Sequence, residues 1–233
     1  LGNSVVLRWP VAALGLVLVL SVTQELARPE TTDLISAGTA EATLRRAVPI
    51  LLAGLGGIWA ERAGVVNIGL EGMMILGTWF GAWGALEFGP WWGIVIGIAG
   101  GAAGGLLHAV ATVGFGVDHI ISGVAINILA PALARFLSRE VFAQRPGGGI
   151  TQSPRVDSVG EVDVVFLSGG DLFGWSTPDL FGWVDDRGWF LVSDLCAVLS
   201  GITSDISWAT LLALALVPAS VVILWRTRIG LRI

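Results

Sequence analysis

Long apolar stretches recur along the chain, separated by short polar segments or by glycine and proline. Each approaches the roughly 20 residues that an α-helix needs to cross a bilayer. Gly89-Pro90 marks the start of one stretch, because proline is favoured in the first turn of a helix. A further apolar segment, residues 190–202, is too short to span and fits a surface or re-entrant helix. The pattern predicts an all-α, polytopic transmembrane helix bundle of about six spans, at residues 5–22, 44–60, 65–86, 91–113, 120–137 and 208–224.

Composition agrees with a chain that is surrounded by lipid. Its residues are 54% apolar and 13% charged, and the mean hydropathy is +0.80. Soluble domains carry about 25% charged residues, so the lipid bilayer is the expected solvent. The net charge of −5 argues against a nucleic-acid partner.

Charge divides the chain into three predicted parts. Residues 1–137 hold the first five spans, and residues 138–207 form an acidic, tryptophan-rich segment with ten acids and four arginines. Residues 208–233 hold the sixth span and the start of a loop containing Arg226, Arg228 and Arg232. Arginines cluster on the cytoplasmic side, so this loop is expected inside and residues 138–207 outside. Four arginines then fall on the outer side, against the trend: Arg45, Arg46, Arg135 and Arg139.

The acidic segment contains one sequence twice. Asp-Leu-Phe-Gly-Trp occupies residues 171–175 and again residues 179–183. A solenoid needs at least about three repeats, so two copies do not predict one. Their tryptophans are expected at the lipid headgroups, with a docking site as the alternative.

Residues 64–72 are the most informative part of the chain. They place Asn67 and Glu71 among glycines at the start of an apolar span. Polar groups inside a span usually face a cavity, and transporters build solute sites at broken helices. Asn67 and Glu71 are therefore candidates for a substrate pathway. The alternative is local, with Asn67 as an N-cap and Glu71 complementing the helix dipole.

Two further groups of residues suggest helix contacts. Glycines four residues apart form one face on which a neighbouring helix can approach closely: Gly93, Gly97, Gly101 and Gly105. His108, on the same span, is expected to make an interhelical hydrogen bond rather than to relay protons. Ser122 and Asn127 join the candidate pathway, although five residues need not bring them to one face. Asn127 requires a partner inside the membrane.

Several chemistries are excluded. The chain has no lysine, so it lacks the Gly-Lys-Ser/Thr of a phosphate-binding loop, and any ATP must bind another polypeptide. Cys196 is the single cysteine, and no Cys/His cluster suggests a metal site. No nucleophile elbow or carboxylate pair predicts catalysis. We expect no catalytic residue, no metal and no cofactor on this chain.

Residues 60–74, Ala-Glu-Arg-Ala-Gly-Val-Val-Asn-Ile-Gly-Leu-Glu-Gly-Met-Met, resemble the signature of ABC-importer permeases for nucleosides. These permeases belong to a wider group that serves simple sugars and branched-chain amino acids. The likeness covers about residues 44–137 and 208–233, and the pieces that agree with the signature are residues 105–109, 118–127 and 225–232.

The resemblance implies a multi-pass permease in the plasma (inner) membrane of a prokaryote. A second permease subunit, an extracytoplasmic substrate-binding protein and a cytoplasmic ABC ATPase carrying ATP-Mg would be its partners. The segment that docks on the ATPase would include Arg226, Arg228, Gly230 and Arg232. The family continues beyond the equivalent of Ile233, so we expect the N-terminal part of such a subunit.

Other functions stay open at this point. A branched-chain amino-acid or simple-sugar permease would have the same architecture. An ion-coupled secondary transporter is suggested by Glu71 and His108 inside spans. A membrane scaffold without transport would use the glycine face and the repeat for assembly alone.

Overall fold

The computed structural model describes residues 12–13, 15–20, 22–23, 36–162, 171–172, 175–185, 187, 189, 192–204, 206–228 and 230. Most of them are helical. The helices are α1 (Ala37–Arg62), α2 (Leu70–Phe88), α3 (Pro90–Ala109), α4 (His119–Val141), α5 (Leu180–Asp185), α6 (Val192–Thr203) and α7 (Trp208–Arg226). A π-helical turn, Val110–Gly114, follows α3 directly. Four two-residue strands complete the elements: β1 (Glu161–Val162), β2 (Asp171–Leu172), β3 (Trp175–Ser176) and β4 (Ile206–Ser207).

Three helical segments in this part of the chain are long and apolar enough to cross a bilayer. They are Pro90–Gly114, His119–Val141 and Trp208–Arg226, and they match the last three predicted spans. α1 and α2, of 26 and 19 residues, are not among these segments. Half of the first predicted span, residues 5–22, lies outside the described residues, and residues 12–13, 15–20 and 22 within it are helical. The mostly helical membrane fold is therefore confirmed, whereas the total of six spans stays a prediction.

Several helix boundaries differ from the predicted ones. α1 begins at Ala37 rather than at Leu44, and α2 begins at Leu70 rather than at Val65. α4 continues to Val141, so the predicted division at residue 137 falls inside a helix. Hydropathy locates the apolar centre of a helix, whereas hydrogen bonds at its two ends decide where the helix begins and stops.

Contacts divide the chain into two compact units. One comprises Leu1–Val48 with Gly160–Thr210, and the other comprises Pro49–Val159 with Leu211–Ile233. α1 and α7 each contribute residues to both units.

The second unit is built around an antiparallel pair, α2 and α3. Gly89 alone joins them, with a φ of 95° that favours glycine, and Pro90 opens α3. Glycines on both helices let the backbones touch. A Cβ on Gly97 would lie 3.1 Å from the carbonyl oxygen of Gly77, and one on Gly81 would lie 3.4 Å from that of Gly93. Such close approach is how membrane helices gain van der Waals contact without a hydrophobic driving force.

α4 also packs on α2. Trp79, in the middle of α2, donates a hydrogen bond from Nε1 to Oγ of Ser138, near the C-terminal end of α4, at 3.0 Å, and its ring stacks on Phe142. Glu87 at the end of α2 forms an ion pair with Arg145, which follows α4. These contacts hold the segment after α4 against α2.

The first unit contains short elements. β1 pairs antiparallel with β4, and β2 pairs antiparallel with β3. α6, which matches the predicted short apolar helix, has 12 residues and is too short to span. Its Gly201 lies against the backbone of Ala37 at the start of α1.

The two copies of the repeated sequence fold differently. In the first copy, Asp171–Leu172 and Trp175 belong to paired strands. In the second copy, Asp179 accepts a hydrogen bond from the backbone N–H of Gly182 at 2.7 Å and starts α5. The identical residues therefore do not form a structural repeat.

Candidate functional site

The signature segment begins with a built-in helix stop. α1 ends in a Schellman motif, in which the N–H of Gly64 donates to the carbonyl of Glu61 and the N–H of Val65 donates to the carbonyl of Ala60, each at 3.0 Å. Gly64 has a φ of 77°, the left-handed conformation that this motif requires. The chain consequently leaves α1 at this glycine and runs without helix through residues 65–69.

Asn67 prepares the start of α2 without being its N-cap. Its Oδ1 accepts a hydrogen bond from the backbone N–H of Gly69 at 3.0 Å, which is an Asx turn. Gly69 is the N-cap and has no side chain to offer. The alternative prediction of Asn67 as the N-cap is therefore wrong, because the turn places the helix start two residues later.

Asn127 of α4 supplies the missing cap from another helix. Its Oδ1 accepts from the N–H of Gly72 at 2.8 Å, and its Nδ2 donates to the carbonyl oxygen of Ile68 at 3.0 Å. Gly72 is the third residue of α2, the position whose N–H an N-cap side chain normally satisfies. Within a membrane every backbone polar group must find a partner in the protein. One side-chain amide thus closes both the end of the loop and the start of α2.

Glycine makes this contact between α2 and α4 possible. A Cβ on Gly123 would lie 2.8 Å from the backbone nitrogen of Gly69, and one on Gly72 would lie 2.6 Å from the carbonyl oxygen of Ile126. Real Cβ atoms do not approach so closely, so any side chain at Gly72 or Gly123 would push the helices apart. Gly69 and Gly72 of the signature are therefore explained by backbone packing, whereas Gly64 is explained by its left-handed conformation.

A buried hydrogen bond joins α3 to α4 beside this contact. His108 and Ser122 are 3% and 7% exposed, and Nδ1 of His108 lies 3.0 Å from Oγ of Ser122. The Thr112 hydroxyl, also buried, donates to the carbonyl of His108 at 2.8 Å within the π-helical region. Nε2 of His108 has no hydrogen-bond partner among the described residues.

His119 brings the loop and the start of α4 together. Its Nδ1 accepts a hydrogen bond from the N–H of Val66 at 3.2 Å, and its ring centre lies 6.4 Å from that of His108. Asp118 caps α4, since one carboxylate oxygen accepts from the N–H groups of Ile120 and Ile121 at 2.8 and 3.1 Å. We call the loop of residues 65–69, with His108, His119, Ser122 and Asn127, the polar junction.

An open pocket of about 400 Å³ adjoins the polar junction. This volume falls within the range of small-molecule sites. Val66 and His119 line it together with the π-helical and linker residues Thr112, Gly116, Val117, Asp118 and Ile120.

The predicted pathway residues do not all meet. Asn67 and Asn127 form hydrogen bonds with the same short stretch of backbone, residues 68–69. Ser122 is hydrogen-bonded to His108 instead. Asn127 and Ser122 bond different helices, as their spacing allowed. Glu71 is exposed in the first turn of α2 and has no hydrogen-bond or ion-pair partner among the described residues.

Some residues of the polar junction were not among the predicted pathway residues. His119 lies within residues 118–127, which agree with the family signature, but was not a predicted pathway residue. Thr112, beside the polar junction, is a single hydroxyl in an apolar span, and a single hydroxyl does not indicate a site. The clue available in the sequence was the Asp-His pair directly before a span, since Asp is a preferred N-cap. The contact from His119 back to Val66 depends on how α2 and α4 cross.

The four glycines of the predicted face lie at different distances from α2. Gly93 and Gly97 are in backbone contact with it, whereas a Cβ on Gly101 would be 3.5 Å from the carbonyl of Met73. A Cβ on Gly105 would come no nearer than 3.9 Å to Sδ of Met73. Gly100, outside the predicted set, is tighter, with its Cβ position 2.7 Å from Phe80.

The predicted ATPase-docking residues follow α7. Arg226 and Arg228 are exposed, and Gly230 is buried against Ile223 and Leu224. Arg232 lies outside the described residues. No group of three His, Cys, Asp or Glu side chains within the described ranges could hold a metal ion.

Comparison with known proteins identifies a family and relatives that match most of this chain. Residues 39–233 match the family described as branched-chain amino acid transport system / permease component. The guanosine ABC transporter permease of Bacillus subtilis is 32% identical over 202 residues, which are 82% of this chain and 53% of that protein.

Two shorter matches concern other solutes. A nucleoside ABC transporter permease of Lactococcus lactis is 41% identical over 105 residues, covering 41% of this chain and 32% of that protein. A putative glucose ABC transporter permease of Haloferax volcanii is 40% identical over 102 residues, covering 43% and 31%. The chain thus spans about half or less of the length of these curated relatives.

No solved structure matches the chain. The family match covers most of its length and includes the signature segment, α2 to α4 and α7. The chain therefore belongs to the permease-component family of branched-chain amino acid transport systems.

Proposed function

We propose that the chain is part of a membrane-spanning permease subunit of an ATP-binding-cassette importer that moves nucleosides across the plasma membrane of a prokaryote. The observation that carries this proposal is the family match over residues 39–233, within which the signature segment forms a break between α1 and α2 that side chains of α4 hold.

Nucleosides are proposed as substrates because of two relatives. The proteins of Bacillus subtilis and Lactococcus lactis are named as guanosine and nucleoside permeases. The wider family and the Haloferax relative are named for branched-chain amino acids and glucose, so a sugar or a branched-chain amino acid is the alternative substrate.

ATP hydrolysis belongs to a separate ATPase in this proposal. The chain has no lysine and hence no phosphate-binding loop in its sequence, so ATP-Mg would bind a cytoplasmic partner. A second permease subunit and an extracytoplasmic binding protein complete the assembly. The remaining predicted spans and the outward position of residues 138–207 are part of this proposal.

The polar junction would shape the solute pathway. Broken helices with free backbone ends are where transporters place polar groups near the membrane centre. In this chain Asn67 and Asn127 satisfy three backbone groups at the break, the N–H groups of Gly69 and Gly72 and the carbonyl of Ile68, so their main role is to hold the loop in one conformation. Val66 and His119, which line the adjoining pocket, are then the residues nearest to a passing solute.

The test is uptake by the full-length subunit, reconstituted with its ATPase and binding protein in proteoliposomes. Radiolabelled guanosine should accumulate only when ATP is supplied, and unlabelled nucleosides should compete while leucine and glucose should not. Competition by leucine or glucose would assign the alternative substrates. Uptake driven by a proton gradient without ATP would instead support a secondary transporter and refute the proposal.

A further inference from the structure

Arg62, at the end of α1, reaches the chain that follows α7. Its guanidinium carbon lies 5.2 Å from the ring centre of Trp225, a cation–π contact. Its Nε donates a hydrogen bond to the carbonyl oxygen of Gly230 at 3.3 Å. A single side chain thus contacts both the last turn of α7 and the residues beyond it.

Thr227 and Gly230, beyond the end of α7, lie back against that helix. Gly230 is buried, and a Cβ there would overlap the backbone of Ile223 and Leu224. The Thr227 hydroxyl donates to the carbonyl of Ile223 at 2.7 Å and lies 3.5 Å from the N–H of Gly230. Only a residue without a side chain can lie so close to the last turn, and Arg62 then binds the carbonyl that this fold presents.

Arginine is suited to this position for three physical reasons. It lies in the last turn of α1, where a cation complements the helix dipole. Its planar guanidinium can stack on an indole ring and also donate a hydrogen bond from Nε, whereas a lysine ammonium is a point charge that cannot stack as a plane. Arg62 is half-buried, so its contacts are partly shielded from water.

Arg62 is also connected to the polar junction. The Schellman motif that begins at Ala60 turns the chain directly after Arg62, and Val66 then donates its N–H to His119. A shift of Arg62 would therefore move a short, hydrogen-bonded stretch of chain whose other end is held by α4.

We propose that Arg62 is a positioning residue that holds the segment after α7 against α1 and transmits movement of the ATPase-docking segment to the polar junction. This inference rests on the proposed importer function. The role differs from docking itself, since Arg62 contacts neither a substrate nor a nucleotide in the proposal.

The experiment compares wild type with Arg62→Gln, Arg62→Lys, Trp225→Ala and the double variant R62Q/W225A in the full reconstituted complex. Nucleoside uptake and ATP hydrolysis are measured in the same vesicles, and the ratio of solute moved to ATP hydrolysed is the readout. Loss of a cation–π contact and a hydrogen bond is expected to lower this ratio about tenfold in R62Q. R62K, which retains the charge over the indole, should recover part of it.

Arg46→Gln is the matched control, because Arg46 is an exposed arginine on the same helix. It should leave the ratio unchanged. The double variant should be no worse than R62Q, because both single changes break one connected contact. An unchanged ratio in R62Q, or additive losses in the double variant, would overturn the proposal. If R62Q does not assemble, W225A decides, since Trp225 is 53% exposed and its loss leaves no core cavity.

Hydrogen exchange separates this inference from the importer function. The amides of residues 227–230 should exchange roughly tenfold faster in R62Q than in wild type, whether or not transport is measured. Wild-type complex without ATP-dependent uptake would count against the proposed function. Equal exchange in R62Q and wild type would count against the role of Arg62.

Discussion

Asn127→Ala tests the account of the polar junction most directly. The substitution removes a side-chain amide that accepts a hydrogen bond from the N–H of Gly72 and donates one to the carbonyl of Ile68. Alanine keeps α4 helical, because it is the best helix former. The change therefore isolates the two hydrogen bonds from the helix that carries them.

The expected magnitude follows from the two lost bonds. A side-chain hydrogen bond within a membrane protein contributes on average about 0.6 kcal/mol and at most about 1.7. A buried donor left without a partner costs about 1–3 kcal/mol. Gly72 is buried, so we expect the start of α2 to be destabilised by about 1–3 kcal/mol. That corresponds to roughly 5- to 150-fold more frequent local opening.

Amide hydrogen exchange of the purified full-length subunit in detergent or nanodiscs measures this opening at Gly72. Exchange should accelerate by that factor in N127A, and the midpoint of thermal unfolding should fall. Ile128→Ala is the control, since Ile128 is the next residue of the same helix, is 70% exposed and has an apolar side chain that forms no hydrogen bond. Unchanged protection at Gly72 in N127A, or equal acceleration in I128A, would refute the proposed cap.

Three further changes test the packing of α2. Gly97→Ala should lower the free energy of unfolding by about 1–3 kcal/mol through overpacking, and the unfolding midpoint with it, since its Cβ would lie 3.1 Å from the carbonyl oxygen of Gly77. Gly105→Ala should be neutral, and equal effects of the two changes would contradict the unequal contacts. Gly123→Ala should cost a similar amount, because its Cβ would lie 2.8 Å from a backbone nitrogen, and a midpoint like that of wild type would contradict this. Trp79→Phe should cost about 0.5–1.5 kcal/mol by removing the hydrogen bond to Ser138. Adding Ser138→Ala to Trp79→Phe should then change the free energy of unfolding little, because the hydrogen bond is already lost. Additive losses from the two substitutions would show that this bond does not contribute.

Much of the helical architecture could be predicted from the sequence. The apolar stretches located α3, α4 and α7, and Gly89-Pro90 marked the boundary between α2 and α3. The period of four in the glycines predicted a close helix contact, and Gly93 and Gly97 lie in one. These features depend only on the composition and spacing of neighbouring residues, so a short segment of the sequence is enough to predict each of them.

Other features could not be predicted because they depend on which segments meet. The two copies of Asp-Leu-Phe-Gly-Trp have the same local preferences, yet one lies in paired strands and the other starts α5. Asn67 was a reasonable N-cap by residue type, but the turn it forms moved the helix start to Leu70. Tertiary contacts override propensities of a few tenths of a kcal/mol.

The sequence alone determined that the chain is apolar enough for a membrane, that it contains no lysine and so no phosphate-binding loop, and that residues 64–72 place polar side chains among glycines at the start of a span. Only the tertiary structure decided how this segment is held: Asn127 and His119 reach from α4 to hold the loop and the start of α2, while Arg62 reaches the chain after α7. The reason is physical. Hydrophobicity and glycine spacing are properties of neighbouring residues and can be read directly from the sequence. An unsatisfied backbone group in a membrane, in contrast, finds its hydrogen-bond partner on whichever helix packs beside it.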